Sequence, residues 1–245
     1  MFYSDNSNKT LNKFENRYDL LELIYMKFVS KNSDVDLNGA FFIKFYDAYP
    51  PILQSYLNHI IKDNIFNDTK LCQFWNTKNY FKIITETVQF IIDNESSKFK
   101  ISGHLEKLFL CPRNKSKKDI ILIQDDWITR YVDGNCNDKQ KMYYLFQLIS
   151  SFEYERRRKF ILHFLEVNQS YDFFEILPLV KLDYGGFGSM VPYIEAKVDF
   201  LRSLLPYLHG SQFLKHKCKV QSDIETWERQ IRNEKVEDKL ANRSF

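Results

Sequence analysis

Apolar positions recur at spacings of three and four along most of this chain, the period of α-helices that bury one side. Leu20, Leu21, Ile24 and Phe28 predict a first helix over 18–29, with those four side chains on its buried face. After a polar break over 31–36, Phe41, Phe42, Phe45 and Tyr46 mark a short helix that Pro50-Pro51 stops. Pro51 then opens a helix carrying Leu53, Leu57, Ile60 and Ile61. Asp68 or Thr69 is placed to cap a helix through Leu71, Phe74 and Trp75. Further helices are expected over 78–93 (Phe81, Ile84, Val88, Ile91) and over 98–110 (Ile101, Leu105, Leu108, Phe109).

The unbroken run Ile120 to Ile123 fits a buried strand or a helix by itself; its helical surroundings favour a helix continuing through Trp127, Ile128 and Tyr131. Asp133-Gly134-Asn135 reads as a turn. Segments 139–150 and 152–167 read as two consecutive helices or one long one. Near the C-terminus, Ile194, Val198, Leu201, Leu205 and Leu208 form one stripe, with a kink or end at Pro206 and a stop at Gly210. The last helix, over 213–240, carries the seam Val220, Ile224, Trp227 and Ile231, beyond which charge takes over.

The pattern predicts an all-α fold of about ten helices, either an irregular multi-helix array or an α-solenoid-like stack of helical hairpins. No fixed repeat period emerges. The polar, Asn-rich residues 1–16 read as disordered. An N-terminal helical part over 17–132 and a C-terminal one over 138–241 are expected, separated at the turn or joined as one continuous domain.

Composition agrees with this picture. Seven Gly and six Pro in 245 residues are too few for an all-β fold built on tight turns. Aromatic residues make up 16%, a high share that goes with the Asn, Lys, Ile, Phe and Tyr bias of an AT-rich coding sequence. A net charge of +3 is too small to point to nucleic acid by itself. Cys72, Cys111, Cys136 and Cys218 stand far apart without a C-x-x-C pair, which fits reduced structural thiols. The N-terminus lacks the apolar core of a signal peptide, and no run reaches the roughly 18 apolar residues of a membrane span. A soluble, cytoplasmic protein with no membrane partner is expected.

No catalytic constellation stands out. The glycine-rich segment Asp183-Tyr184-Gly185-Gly186-Phe187-Gly188-Ser189 precedes a helix, as phosphate loops do, but lacks the lysine that reaches a phosphate. A structural loop with Ser189 as a cap is the reading it supports. Asp183 with Glu195 and Lys197 mimics a metal-nuclease pattern, yet Glu195 falls between Ile194 and Val198 on an amphipathic helix. Asp125-Asp126 reads as a helix N-terminus. His209 and His216 share a face only if Gly210 leaves the helix unbroken, and His59, His104 and His163 have no ligand-like companions in sequence. Neither a cofactor nor a metal site is expected. The sharpest charge feature is Arg156-Arg157-Arg158-Lys159, with Tyr154 and Phe160 beside it and Glu153 and Glu155 before it. It reads as a solvated or partner-facing helix face, with a nucleic-acid contact as the alternative.

Several short strings in the C-terminal third share a pattern: Leu177-Pro178-Leu179, Gly188-Ser189-Met190-Val191-Pro192, Phe200-Leu201, Leu204-Leu205-Pro206 and Gly210. With Phe213-Leu214-Lys215-His216 and the Val220 to Ile231 seam, they resemble the helical C-terminal regions of large bacterial ATP-binding proteins, including STAND-type NTPases of antiphage defence. The resemblance spans about residues 155–240 and contains no active-site residue. It implies a region that senses a ligand or makes contacts while the nucleotide machinery lies elsewhere. The function expected is therefore a non-catalytic helical interaction or sensing module of a bacterial defence system, binding a protein partner. The alternatives are a nucleic-acid-binding protein or metal-dependent nuclease, and an enzyme whose site is assembled from scattered residues.

Overall fold

The computed structural model describes residues 7–31, 40–62, 71–112, 116–168 and 189–241. Among them lie eleven α-helices and no strand, so the chain is an all-α multi-helix array. In order the helices are α1 (Ser7–Lys13), α2 (Tyr18–Lys31), α3 (Ala40–Ala48), α4 (Ile52–Lys62), α5 (Tyr80–Asn94), α6 (Lys98–Leu108), α7 (Lys117–Asn135), α8 (Lys139–Ser150), α9 (Tyr154–Val167), α10 (Val191–Leu204) and α11 (Leu214–Ala241). Short 3-10 helices occupy Cys72–Asn76, Leu205–Tyr207 and Ser211–Phe213. The chain forms two compact units, 1–127 and 128–245. The division falls within α7, a few residues before the expected turn.

The helix starts are set by local chemistry. Ser97 and Asp138 accept hydrogen bonds from the N–H groups of Lys100 and Lys141, capping α6 and α8. Ser116 Oγ accepts from the Asp119 N–H at 3.1 Å and donates to the Asp119 carboxylate at 2.6 Å, a reciprocal cap on α7. At α10 the cap position falls to Met190, which makes no side-chain cap bond, and not to Ser189 as the sequence suggested; Ser189, one residue earlier, accepts from the Val191 N–H at 3.2 Å. Pro206 ends α10 in a 3-10 turn, and Gly210 takes a left-handed φ of +87° before the next turn. With ψ at 168°, that φ lies in a region open essentially to glycine alone, so glycine is required by the backbone, while the Gln212 amide that a Cβ would meet can move aside.

The first unit has an aromatic core. Tyr25 of α2 meets Phe41 and Phe45 of α3, with ring centroids 5.4 and 5.9 Å apart. Phe42 stacks on Phe74 at 5.3 Å and contacts Tyr56 at 4.5 Å. Trp75, fully buried, donates to the Leu108 carbonyl at 2.7 Å and packs edge-on against Phe109 and Trp127. In the second unit, α8 and α9 pack with Phe146 edge-on to Phe164 at 4.9 Å. The long α11 lies against α10, burying His216, Val220, Ile224 and Ile231.

Several expectations are corrected. Residues 7–13 form a helix, with Leu11 buried, where 1–16 read as disordered. On α2 the core residues are Leu21 and Tyr25, while Leu20 and Phe28 are exposed. The Leu71–Trp75 segment winds mainly as a 3-10 helix. Asp133, Gly134 and Asn135 complete the last turn of α7, and the chain turns at Cys136 and Asn137 instead. The helix continues through Gly134 to Asn135, whose side-chain amide donates to the Tyr131 carbonyl at 2.9 Å. Ile120 to Ile123 is helical, with Ile120 buried and Leu122 exposed. The break over 31–36 beyond Lys31, the cap at Asp68 or Thr69, Leu177-Pro178-Leu179 and the glycines at 185, 186 and 188 lie outside the described residues.

Two buried histidines make stability depend on pH. His104 Nε2 lies 3.4 Å from Glu95 Oε2, both side chains 9% exposed. Burial lowers the His104 pKa from its ordinary value, against the opposing pull of Glu95. Burial alone would raise Glu95, but the Ser97 N–H, Lys100 and His104 bring it below the usual carboxylate range. His216 is also lowered by burial, opposed by the Asn168 backbone. A group whose folded pKa is depressed contributes stability above its unfolded pKa and loses it as pH falls. Both units should therefore be destabilised as pH drops below about 6.5, with Glu95 adding to the loss below about 4.5. The fall in Tm between about pH 7.5 and 5.5 is expected to shrink in a His104→Gln/His216→Gln double variant, as scanning calorimetry would record; an unchanged slope would place the acid sensitivity elsewhere.

Candidate functional site

Successive helix residues turn about 100° apart, so four consecutive cations cannot share one face. On α9 the run Arg156–Lys159 accordingly divides. Arg157 lies three, four and seven residues before Phe160, Ile161 and Phe164, all buried, and so points with them into the second unit. It is 7% exposed. Its guanidinium carbon sits 5.1 Å from the Phe200 ring centroid and 5.7 Å from that of Tyr154. Nε and Nη1 are buried and find no hydrogen-bond partner among the described residues.

The other three cations lie nearer the surface. Arg156 stacks on Phe152 at 3.9 Å. Arg158 pairs with Glu155 and lies between two exposed rings, 5.4 Å from the centroid of Tyr154 and 4.6 Å from that of Tyr207. Lys159 is exposed, with its ammonium 5.3 Å from the Phe160 ring. Tyr154 donates to Ser203 Oγ and meets Phe200 edge-on at 5.2 Å. The first turns of α9, the last turn of α10 and the Leu205–Tyr207 turn thus build one cluster: Tyr154, Arg157, Arg158, Phe200, Ser203 and Tyr207.

An arginine remains charged in any ordinary setting, and burying an ion costs several kcal/mol unless partners replace water. Two aromatic faces return about 0.5–2 kcal/mol each. They do not supply the acceptors that Nε and Nη1 lack. Burial lowers the Arg157 pKa, against the opposing influence of Tyr154. The cluster is therefore short of hydrogen-bond acceptors, and Tyr154 and Tyr207, 38% and 48% exposed, present aromatic surface beside it.

The sequence signalled half of this group. Tyr154 and the arginines stand together in the chain, but Ser203, which accepts from Tyr154, follows 49 residues later. Tyr207 became visible only once Pro206 ended α10 in an open turn. Burial of Arg157 was readable from its spacing to Phe160 and Phe164.

The other candidate residues are dispersed. Glu195 pairs with Lys235 of α11 at 2.8 Å, while the Lys197 ammonium rests 3.7 Å from the Trp227 ring centroid. Burial lowers the Lys197 pKa, opposed by Asp223. Asp183 lies outside the described residues. Asp125 and Asp126 sit within α7, not at a helix start, and Asp126 accepts from Tyr80 at 2.5 Å. Gly210 separates His209 from the α11 helix that carries His216. Among the described residues no three His, Cys, Asp or Glu side chains assemble to hold a metal ion. A shallow depression is lined by residues 133–138; around it His163 bonds Asp133 at 2.7 Å and Lys141 bonds Asn135 at 3.1 Å. The four cysteines form no disulfide. No helix among the described residues is long and apolar enough to cross a membrane. No family model, curated protein or solved structure matches the chain.

Proposed function

We propose that this chain is a non-catalytic helical interaction module that binds a protein partner through the α9–α10 cluster. The observation that carries the reading is Arg158 held between the exposed rings of Tyr154 and Tyr207. Tyrosine and arginine dominate the energetics of protein interfaces because each offers a large, stiff contact area with a polar end. Here Arg158 is pre-positioned by Glu155 and by the Tyr207 ring, which limits the entropy lost on association. The resemblance of residues 155–240 to helical regions of STAND-type NTPases fits the same role, and a place in a bacterial defence system is part of this proposal.

Nucleic-acid binding is the second reading, favoured by four consecutive cations beside aromatic rings. Against it, Glu155 already pairs Arg158 and Arg157 is buried, so a phosphate track would find few accessible charges. Co-purification from the native host separates the two. A discrete protein partner is expected with the wild-type chain, reduced at least about tenfold by Tyr207→Glu, which puts a negative charge where aromatic area is needed. Nucleic acid retained through high salt, with no protein partner, would reverse the preference.

A further inference from the structure

A buried guanidinium with two unpartnered nitrogens is unusual, because buried donors are nearly always matched. Nothing among the described residues supplies the missing acceptor to Arg157 Nε and Nη1. On one side the guanidinium lies 5.7 Å from the centroid of Tyr154, a ring 38% exposed and held by its hydroxyl bond to Ser203, an edge contact with Phe200 and the Arg158 guanidinium. Rotation of that single side chain would open Arg157 to a group arriving from solvent, beside Arg158 and Tyr207.

The incoming group must be anionic, small enough to pass one ring, and attached to something that gains from aromatic contact. A planar carboxylate matches the guanidinium fork in shape and charge. We propose that this cluster receives an aspartate or glutamate of the protein partner, flanked by apolar residues, with its carboxylate accepting from Arg157 and its neighbours packing on Tyr154 and Tyr207. This rests on the protein-binding reading above and adds the chemistry of the partner. A nucleic-acid strand fits less well, since it requires a row of accessible cations and here a single deep one is short of an acceptor.

The arrangement makes an unusual demand on one substitution. Arg157→Met removes a buried charge and fills the space between Phe200 and Tyr154 with a flexible apolar side chain. If the guanidinium is kept for a ligand, this variant melts no lower than the wild type yet fails to bind. Panning a random displayed peptide library on the intact chain tests this, followed by anisotropy with the synthetic peptide that emerges. The enriched peptides are expected to share Asp or Glu beside Phe, Leu or Tyr. Their affinity should fall at least about tenfold for Arg157→Met, and equally when the peptide acid is replaced by its amide. Arg157→Lys, which keeps the charge without the fork, should give an intermediate loss.

Peptides that bind Arg157→Met as well as wild type would overturn the acidic-partner proposal while leaving the Tyr207 surface as a docking site. Failure to enrich any peptide, or a single-stranded oligonucleotide that binds more tightly than every peptide, would overturn both. A clear fall in the Tm of Arg157→Met would also overturn it, by showing the guanidinium to be a core element held by its two rings.

Discussion

Trp75→Ala is expected to unfold much of the first unit, at a cost of about 3–5 kcal/mol for the lost aromatic volume. Trp75 is fully buried and meets Phe109 and Trp127 edge-on at 5.1 and 6.3 Å. Its indole N–H also satisfies the Leu108 carbonyl at the end of α6, which truncation would leave without that donor. Against a typical total stability of about 5–15 kcal/mol, such a loss is a large fraction. The melting temperature should fall by roughly 10 °C or more. Trp75→Phe, which keeps most of the ring contact and loses only the N–H, should recover over half of that fall. A calorimetric scan of the three proteins checks both statements; near-equal Tm values would mean that Trp75 does not organise the packing of α5, α6 and α7.

The second large effect separates two neighbouring leucines. Leu21→Asp should cost more than about 4 kcal/mol, because it removes a buried apolar side chain and strands a carboxylate against Tyr25 and the α3 aromatics. Leu23→Asp should change stability by less than about 0.5 kcal/mol, since surface substitutions rarely do more. The side chains are 0% and 68% exposed, respectively. Urea denaturation of the two variants reads the difference directly. Equal effects would mean that Leu21 is not buried by the packing of α2.

That pair shows where sequence reading succeeds and where it stops. The period of three and four located the helices, because a helix needs one apolar stripe whatever it packs against. The choice of stripe was not local. α2 offers two overlapping stripes, Leu20–Ile24–Phe28 and Leu21–Tyr25, and the neighbouring Phe41 and Phe45 select the second. The early helix end read at Asp133-Gly134-Asn135 failed for a related reason: glycine weakens a helix only modestly, and the last turn of α7 runs through it to Asn135, whose side chain adds a bond to the Tyr131 carbonyl. In the candidate site, the four adjacent cations were obvious in the sequence, but helical geometry turns them to different sides. Arg157 goes inward with Phe160 and Phe164, and its partners Phe200 and Ser203 come from a distant helix that no local pattern connects to it.

A photoreactive phenylalanine analogue placed at position 207 in the living host measures the central claim most directly. Tyr207 is exposed beside Arg158, so irradiation should yield one discrete protein adduct, absent when the analogue replaces Leu122, which is even more open to solvent on α7. An adduct with nucleic acid, or the same smear of products from both positions, would contradict the assignment of this surface to a protein partner.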